Sequence, residues 1–305
     1  MVPPEQPPCF IVLGRYGDVI QLLPAFKAVH DRTGVKPVVM ISTHYADVLD
    51  GVRYVTPFPV HWDWWQGVPA ARKLAAEQFG GGVVVQWWND SPDRIRLIEQ
   101  ATEGGVVLQS HGHEWGVDIH RWPNYGTSMW DRAGFSPEEM MSLPLVFDRR
   151  DEKREHLLVQ QHRGRGDKPL LLVSFAGFSS PFPPHPEVMQ VVNQYAGRFR
   201  IVDLGRIKAT RIYDLLGLMD AAVGMITIDT ASLHLALASK IPYLAYTRGP
   251  NDWCRSVPKG NCVKEIHYGH ALDRLNEIGP LLEEWSGGGT RPKMAGAGGG
   301  GVMTV

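Results

Sequence analysis

Residues Asp229-Thr230-Ala231-Ser232-Leu233-His234 stand between two apolar runs, 226–228 and 235–238. The pattern reads as a buried strand, a short polar turn and an apolar helix. Backbone N–H groups at a helix start lack intrahelical partners, and the helix dipole is positive there, so such a turn suits a phosphate. Thr230 and His234 are four apart and share a helix face. The Thr230 hydroxyl and the N–H groups of Ala231 and Ser232 are the candidate phosphate donors, with His234 as a further donor or a loop anchor. Asp229 is a candidate to orient the loop. Taken singly, Asp229 also suits a helix cap, and His234 also suits a satisfied core position.

A second polar turn, Gly14-Arg15-Tyr16-Gly17-Asp18, follows the first apolar run of the chain. It lacks the G-x-G-x-x-G spacing of a dinucleotide fingerprint. Asp18 lies at the carboxyl end of a predicted strand, where it can cap a helix or face a cleft. Ser179 follows a third apolar run, and Arg248 follows a fourth. Trp87 and Trp88 end a further apolar stretch. Together with Tyr16 they are candidate acceptor contacts, since aromatic faces stack on sugars and on nucleobases. His111, His113 and His120 lack a paired helical spacing or a cysteine partner, so they read as loop residues rather than a metal site.

Elements that would hold these turns follow from periodicity. In the first half, strands are predicted at 9–14, 37–42, 52–58, 82–88 and 106–109, and helices at 18–30, 43–49, 68–79 and 92–101. Pro24 predicts a kink in the first of these helices or a place near its first turn. In the second half, strands are predicted at 169–175, 199–204, 222–228, 242–246 and 262–266, and helices at 186–196, 210–219, 232–239 and 271–285. Alternation of this kind implies parallel sheets covered on both faces. The expected organisation is an N-terminal Rossmann-like domain over 1–150 and a linker with some helix over 151–168. A C-terminal Rossmann-like domain follows over 169–285, and a disordered Gly-rich tail over 286–305. Ligands in such sheets bind beyond the carboxyl ends of the strands, where all the polar turns above fall.

The chain has 305 residues, enough for two ordinary domains. Its three cysteines cannot build a disulfide framework, which points to a reducing, cytoplasmic location. No run of 18 apolar residues and no signal-peptide pattern is present, so no transmembrane segment is expected. Net charge is −1, which gives no whole-chain reason to expect nucleic acid. The halves differ: 1–150 hold 13 Lys+Arg against 17 Asp+Glu, the remainder 18 against 15. A more basic second half accords with a phosphate-bearing ligand there.

The segment 229–234 resembles the D-T-G-x-x-H pattern of the heptosyltransferase-like glycosyltransferases (glycosyltransferase family nine, of the GT-B superfamily). The resemblance is carried by Asp229, Thr230 and His234, with Ala231 in place of the usual Gly. The first turn resembles that family's Gly-Asp-Val loop, here Gly17, Asp18 and Val19, with Pro24 six residues after the Asp. Thr247-Arg248-Gly249-Pro250 resembles its loop over the donor. The family's Lys after the strand that ends near Ser174 has no counterpart between Gly177 and Pro186. Ser179 stands there instead.

The resemblance implies an α/β GT-B fold, two Rossmann-like domains facing a cleft, the N-terminal one an acceptor domain and the C-terminal one a nucleotide-sugar domain. It implies an inverting, metal-independent transfer of a sugar from a nucleoside-diphosphate donor to an acceptor hydroxyl, with no further cofactor. Asp18 would be the general base, and Asp229, Thr230, Ala231, Ser232, His234, Ser179 and Arg248 would hold the donor. The expected acceptor is a lipopolysaccharide or other glycan. Two alternatives stand beside it: DNA glycosylation at a hydroxymethylated pyrimidine base, and non-catalytic nucleotide-sugar binding, which the missing Lys and Ala231 motivate.

Overall fold

The computed structural model describes residues 7–12, 15–61, 68–79, 83–86, 107–109, 143–164, 166–177, 181–247 and 261–287. The predicted helix at 92–101, the Trp pair, Ser179, Arg248, the three loop histidines and the tail from 288 onward lie outside them.

Two five-stranded sheets, wholly parallel, organise the described chain. The first comprises β1 (Cys9–Val12), β2 (Val38–Ser42), β3 (Thr56–Val60), β4 (Val83–Gln86) and β5 (Val107–Gln109), in the order β3-β2-β1-β4-β5. The second comprises β6 (Leu170–Ser174), β7 (Arg200–Asp203), β8 (Ala222–Ile228), β9 (Tyr243–Thr247) and β10 (Cys262–His267), in the order β10-β9-β8-β6-β7. Strands β1, β2, β6 and β9 are buried along their whole length, as continuous Val/Ile/Leu runs in a covered parallel sheet should be. Strand β3 reads Thr-Pro-Phe-Pro-Val and lies at an edge. The Thr56 N–H bonds to Pro37, so the even-numbered residues face β2. Pro57 and Pro59 face outward, where a missing N–H costs nothing and further strand pairing is blocked.

Strand order locates the ligand-binding crevices. In an open parallel sheet they form where the direction of winding reverses. That point lies between β1 and β4 in the first sheet and between β6 and β8 in the second. Helix α1 (Tyr16–Thr33) leaves β1 at the first of these points. Helix α6 (Ala231–Leu235), extended by a 3-10 turn (Ala236–Ala238), leaves β8 at the second.

The remaining helices are α2 (Val68–Phe79), α3 (Glu152–Arg163), α4 (His185–Asn193), α5 (Leu216–Ala221) and α7 (Ile278–Ser286). Helix α3 falls in the segment expected to act as a linker, and it is packed. Glu155 is buried and paired with Arg150, and a Cβ at Gly217 would overlap Glu155. Several elements differ from their predicted form. The 43–49 segment, predicted as a helix, is a 3-10 turn over Ala46–Gly51. Helix α1 continues past Pro24, which lies well beyond its first turn, with the flanking Leu22, Leu23, Ala25 and Phe26 all buried in the core. The segment predicted as a helix over 271–285 is helical only from Ile278. Pro280 tolerates a first turn but not a helix interior, so it fixes the start. The 210–219 segment splits into a 3-10 turn (Ile212–Leu215) and α5.

One core joins the two sheets. Phe10, Phe26 and Leu49 from the first half share a cluster with Leu172, Tyr213 and Leu233 from the second. Gly51 lies beneath the stacked rings of Phe147 and Tyr213, where a side chain would overlap both. No described helix is long and apolar enough to cross a membrane.

Candidate active site at the meeting of two polar turns

Asp18 is the third residue of α1. Its carboxylate accepts a hydrogen bond from the Arg15 N–H at 2.5 Å. This is the return bond of a capping box, from the third helical residue to the backbone of the cap residue Arg15. The side chain is only 5% exposed. Burial pushes its pKa up to about 8, with the Asp229 charge adding to the rise and the Arg15 bond opposing it. Capping and a raised pKa thus coexist in one residue: the cap orients the carboxyl, and burial tunes it into the range of a general base.

The Asp229–Ser232 turn stands beside it. Thr230 is the cap residue of α6, in extended conformation, and its side chain makes no cap hydrogen bond. The Thr230 hydroxyl donates only weakly, to the Ile228 carbonyl at 3.4 Å. Ser232 accepts from the hydroxyl of Ser174, the last residue of β6, at 3.0 Å. Ser174 is itself buried, and its carbonyl accepts from Thr227 of β8 at 3.4 Å. These contacts tie the carboxyl ends of β6 and β8 together across the reversal point of the second sheet.

His234 closes the site. It is 2% exposed and lies against α1. A Cβ at Gly17 would stand 3.0 Å from the His234 ring and 3.6 Å from the Ala231 backbone. On the ring's Nε2 side, the Gln21 amide lies at 2.8 Å and the Asp229 carboxylate at 3.3 Å. Its Nδ1 is buried and has no hydrogen-bond partner among the described residues. Gly17, Gln21, Asp18, Asp229 and His234 therefore form one contiguous group, although 205 or more residues separate its two parts in sequence.

Tyr16 stays within its own half. The hydroxyl donates to Asp47 at 2.8 Å and lies 3.1 Å from the His44 carbonyl, and the ring meets Tyr45 edge-on. Burial and the Asp47 bond raise its pKa above the ordinary tyrosine value. Trp87, Trp88, Ser179 and Arg248 fall outside the described residues. Among the described residues, no three His, Cys, Asp or Glu side chains gather as metal ligands would.

Two participants escaped sequence reasoning. Ser174 looks like the end of an apolar strand. Gln21 looks like a surface residue on α1, yet it is the polar exception in the buried run Val19-Ile20-Gln21-Leu22-Leu23. That exception, one turn beyond Asp18, was its available signal.

No protein-family model matches the chain, and no curated protein matches it significantly. Solved structures do. A glycosyl transferase family 9 structure from Veillonella parvula superposes with a TM-score of 0.56 at 11% identity, covering 92% of this chain and 90% of that one. The ADP-heptose lipopolysaccharide heptosyltransferase II of E. coli gives 0.51 at 13% identity, covering 90% and 99%. A UDP-GlcNAc 2-epimerase from Methanocaldococcus jannaschii, solved with UDP-GlcNAc and UDP, gives 0.51 at 12%, covering 88% and 92%. Likeness at such low identity speaks to architecture. The chain has the GT-B fold, with two Rossmann-like sheets facing a cleft.

Proposed function

We propose that this chain is an inverting, metal-independent glycosyltransferase that moves a sugar from a nucleoside-diphosphate donor to an acceptor hydroxyl. The observation that carries the reading is the meeting of Asp18 with the Asp229–His234 turn. A buried carboxyl with a pKa near 8 stands beside a polar turn at the reversal point of a parallel sheet. That turn presents a hydroxyl and helix-start N–H groups suited to a diphosphate. The E. coli heptosyltransferase is named for ADP-heptose and the M. jannaschii epimerase was solved with UDP-GlcNAc and UDP, which supports the same substrate class.

The step is a displacement. The acceptor oxygen bonds to the sugar's anomeric carbon as the bond from that carbon to the diphosphate breaks. The bonding electrons leave with the nucleoside diphosphate, and the acceptor proton passes to Asp18. An acceptor hydroxyl is a weak nucleophile, so a positioned base is needed as that bond breaks. Thr230, Ala231, Ser232 and His234 hold the diphosphate. Ser179 and Arg248 complete its contacts, Arg248 by neutralising charge that develops on the leaving group. The N-terminal half, with Tyr16, Trp87 and Trp88, receives the acceptor, a lipopolysaccharide or other glycan.

A thermal-shift screen against nucleoside diphosphates and their sugars tests the donor site. A ligand at a hundredfold excess over its Kd stabilises by about 2.7 kcal/mol. Stabilisation by one nucleotide class, followed by transfer to an acceptor in a panel of glycans and hydroxymethylated DNA, supports the reading. No stabilisation by any nucleotide overturns it. Binding without turnover replaces it with a nucleotide-sugar-binding protein. Isomerised donor without an acceptor replaces it with the chemistry of the epimerase whose fold it shares.

A further inference from the structure

The contact between Gln21 and His234 joins the helix that carries Asp18 to the turn that follows β8. Gln21 lies four residues after Gly17 and three after Asp18, so all three share one face of α1. Gly17, with no side chain, lets the imidazole lie against the helix backbone. The Gln21 amide nitrogen lies 2.8 Å from Nε2 and an Asp229 carboxylate oxygen 3.3 Å from it. An ionised carboxylate only accepts hydrogen bonds, whereas a glutamine amide presents a donor or an acceptor when turned by half a rotation. With the Gln21 amide rotated so that its oxygen faces the ring, a proton on Nε2 is shared between two acceptors, the Gln21 oxygen and the Asp229 carboxylate. A proton on Nδ1 instead would leave a buried donor without a partner and set the Nε2 lone pair against the Asp229 carboxylate.

We infer that Gln21 is a positioning residue that holds the proton of His234 on Nε2 and so fixes the Asp229–Ser232 turn against α1. It touches neither substrate nor reacting atoms and acts through the imidazole. The inference rests on the donor-binding reading of that turn for its functional consequence, though not for its structural content.

Gln21→Met keeps the length and apolar stem of the side chain and removes both hydrogen-bonding groups. Two measurements on the full-length protein decide the matter. The first is the imidazole 15N spectrum of His234 without ligand, assigned with a His234→Gln control. The wild type should show the Nε2–H form, and the Met variant should show exchange between the two forms together with displaced amide signals from Asp229 to Ser232. The second is calorimetric affinity for the nucleoside diphosphate that best stabilises the wild type, with kcat and KM for transfer. Loss of one hydrogen bond corresponds to donor binding weakened by about three- to tenfold, with kcat held within about twofold.

Unchanged imidazole signals in the Met variant overturn the inference. So does an altered imidazole with unchanged donor affinity, because Gln21 would then be only a structural neighbour. A wild-type protein that binds no nucleotide defeats the function proposed above, while the imidazole and amide signals still decide the role of Gln21.

Discussion

Gly17 and His234 approach so closely that a single methyl group would intrude between them. A Cβ at Gly17 would stand 3.0 Å from Cδ2 of the imidazole, closer than carbon atoms pack comfortably. The position needs a small side chain because another helix lies across it, since Gly17 is not among the glycines with positive φ. Gly17→Ala gains about 0.5–1 kcal/mol of helix propensity. It also forces His234 and the Asp229–Ser232 turn to shift. The expected result is a melting temperature close to wild type with kcat/KM for transfer lowered at least about tenfold, since small misplacements are costly in a preorganised site. Calorimetry and steady-state kinetics on one preparation separate the two effects. Full activity in the Ala variant would show that the close approach has no bearing on the site.

Asp18→Asn keeps the acceptor for the Arg15 N–H and removes the base. Transfer should fall by about 10²- to 10⁴-fold, the range that a positioned base supplies. Donor affinity should stay near wild type, because the diphosphate contacts lie on the other turn. If donor affinity collapsed with activity, Asp18 would belong to the donor site and the base would have to be sought elsewhere.

Much of this arrangement could be read from the residue pattern. Apolar runs separated by polar turns were enough to place strands at β1, β2, β6, β8 and β9, because a covered parallel strand must be continuously apolar. Asp18 and Asp229–His234 stood out because polar residues in such a pattern collect at strand ends. The junction between them was not legible. The Gln21–His234 contact bridges 213 positions, and nothing in local periodicity encodes which helix packs on which. The late start of α7 could have been anticipated from Pro280, whose ring and missing N–H exclude a helix interior. The packing of α3 could not, because its apolar side is narrow and Glu155 is buried only through its bond to Arg150.

The pH dependence of transfer follows from Asp18. Its pKa near 8 means that the basic form is scarce in acid. For the free enzyme, kcat/KM should rise about tenfold per pH unit below 8 and level off above it, so at pH 6 it should stand about a hundredfold below the plateau. The residual activity of Asp18→Asn should lose this limb. A profile already flat from pH 6 to 9 would mean that no group titrating near 8 controls the reaction.

Stability should run against activity at the same residue. Unfolded, the carboxyl ionises near its ordinary 3.8; folded, near about 8. Between these values the unfolded chain has released a proton that the folded chain keeps. The stabilising contribution is therefore complete below 3.8 and is lost progressively as pH rises toward 8. Asp18→Asn has no proton to lose. Its melting temperature should exceed that of the wild type at pH 9, and the gap should narrow as pH falls to 5. A gap that stayed constant over this interval would contradict the burial-driven shift.

Gly224 gives a control in which stability falls and the site is spared. It lies in β8 directly beneath the ring of Trp285 from α7, and a Cβ there would overlap the indole. Trp285 is buried in the second core cluster with Ile226, Leu244 and Leu282, so the ring has little room to retreat. Gly224→Ala should destabilise by about 1–3 kcal/mol, the usual consequence of overpacking. The Asp229 turn lies beyond the far end of the same strand, so donor affinity of the folded fraction should not change. Denaturant unfolding and calorimetry together check both halves of the expectation. Weakened donor affinity at unchanged stability would mean that strain at Trp285 travels along β8 into the site, and that the strand is less rigid than its burial implies.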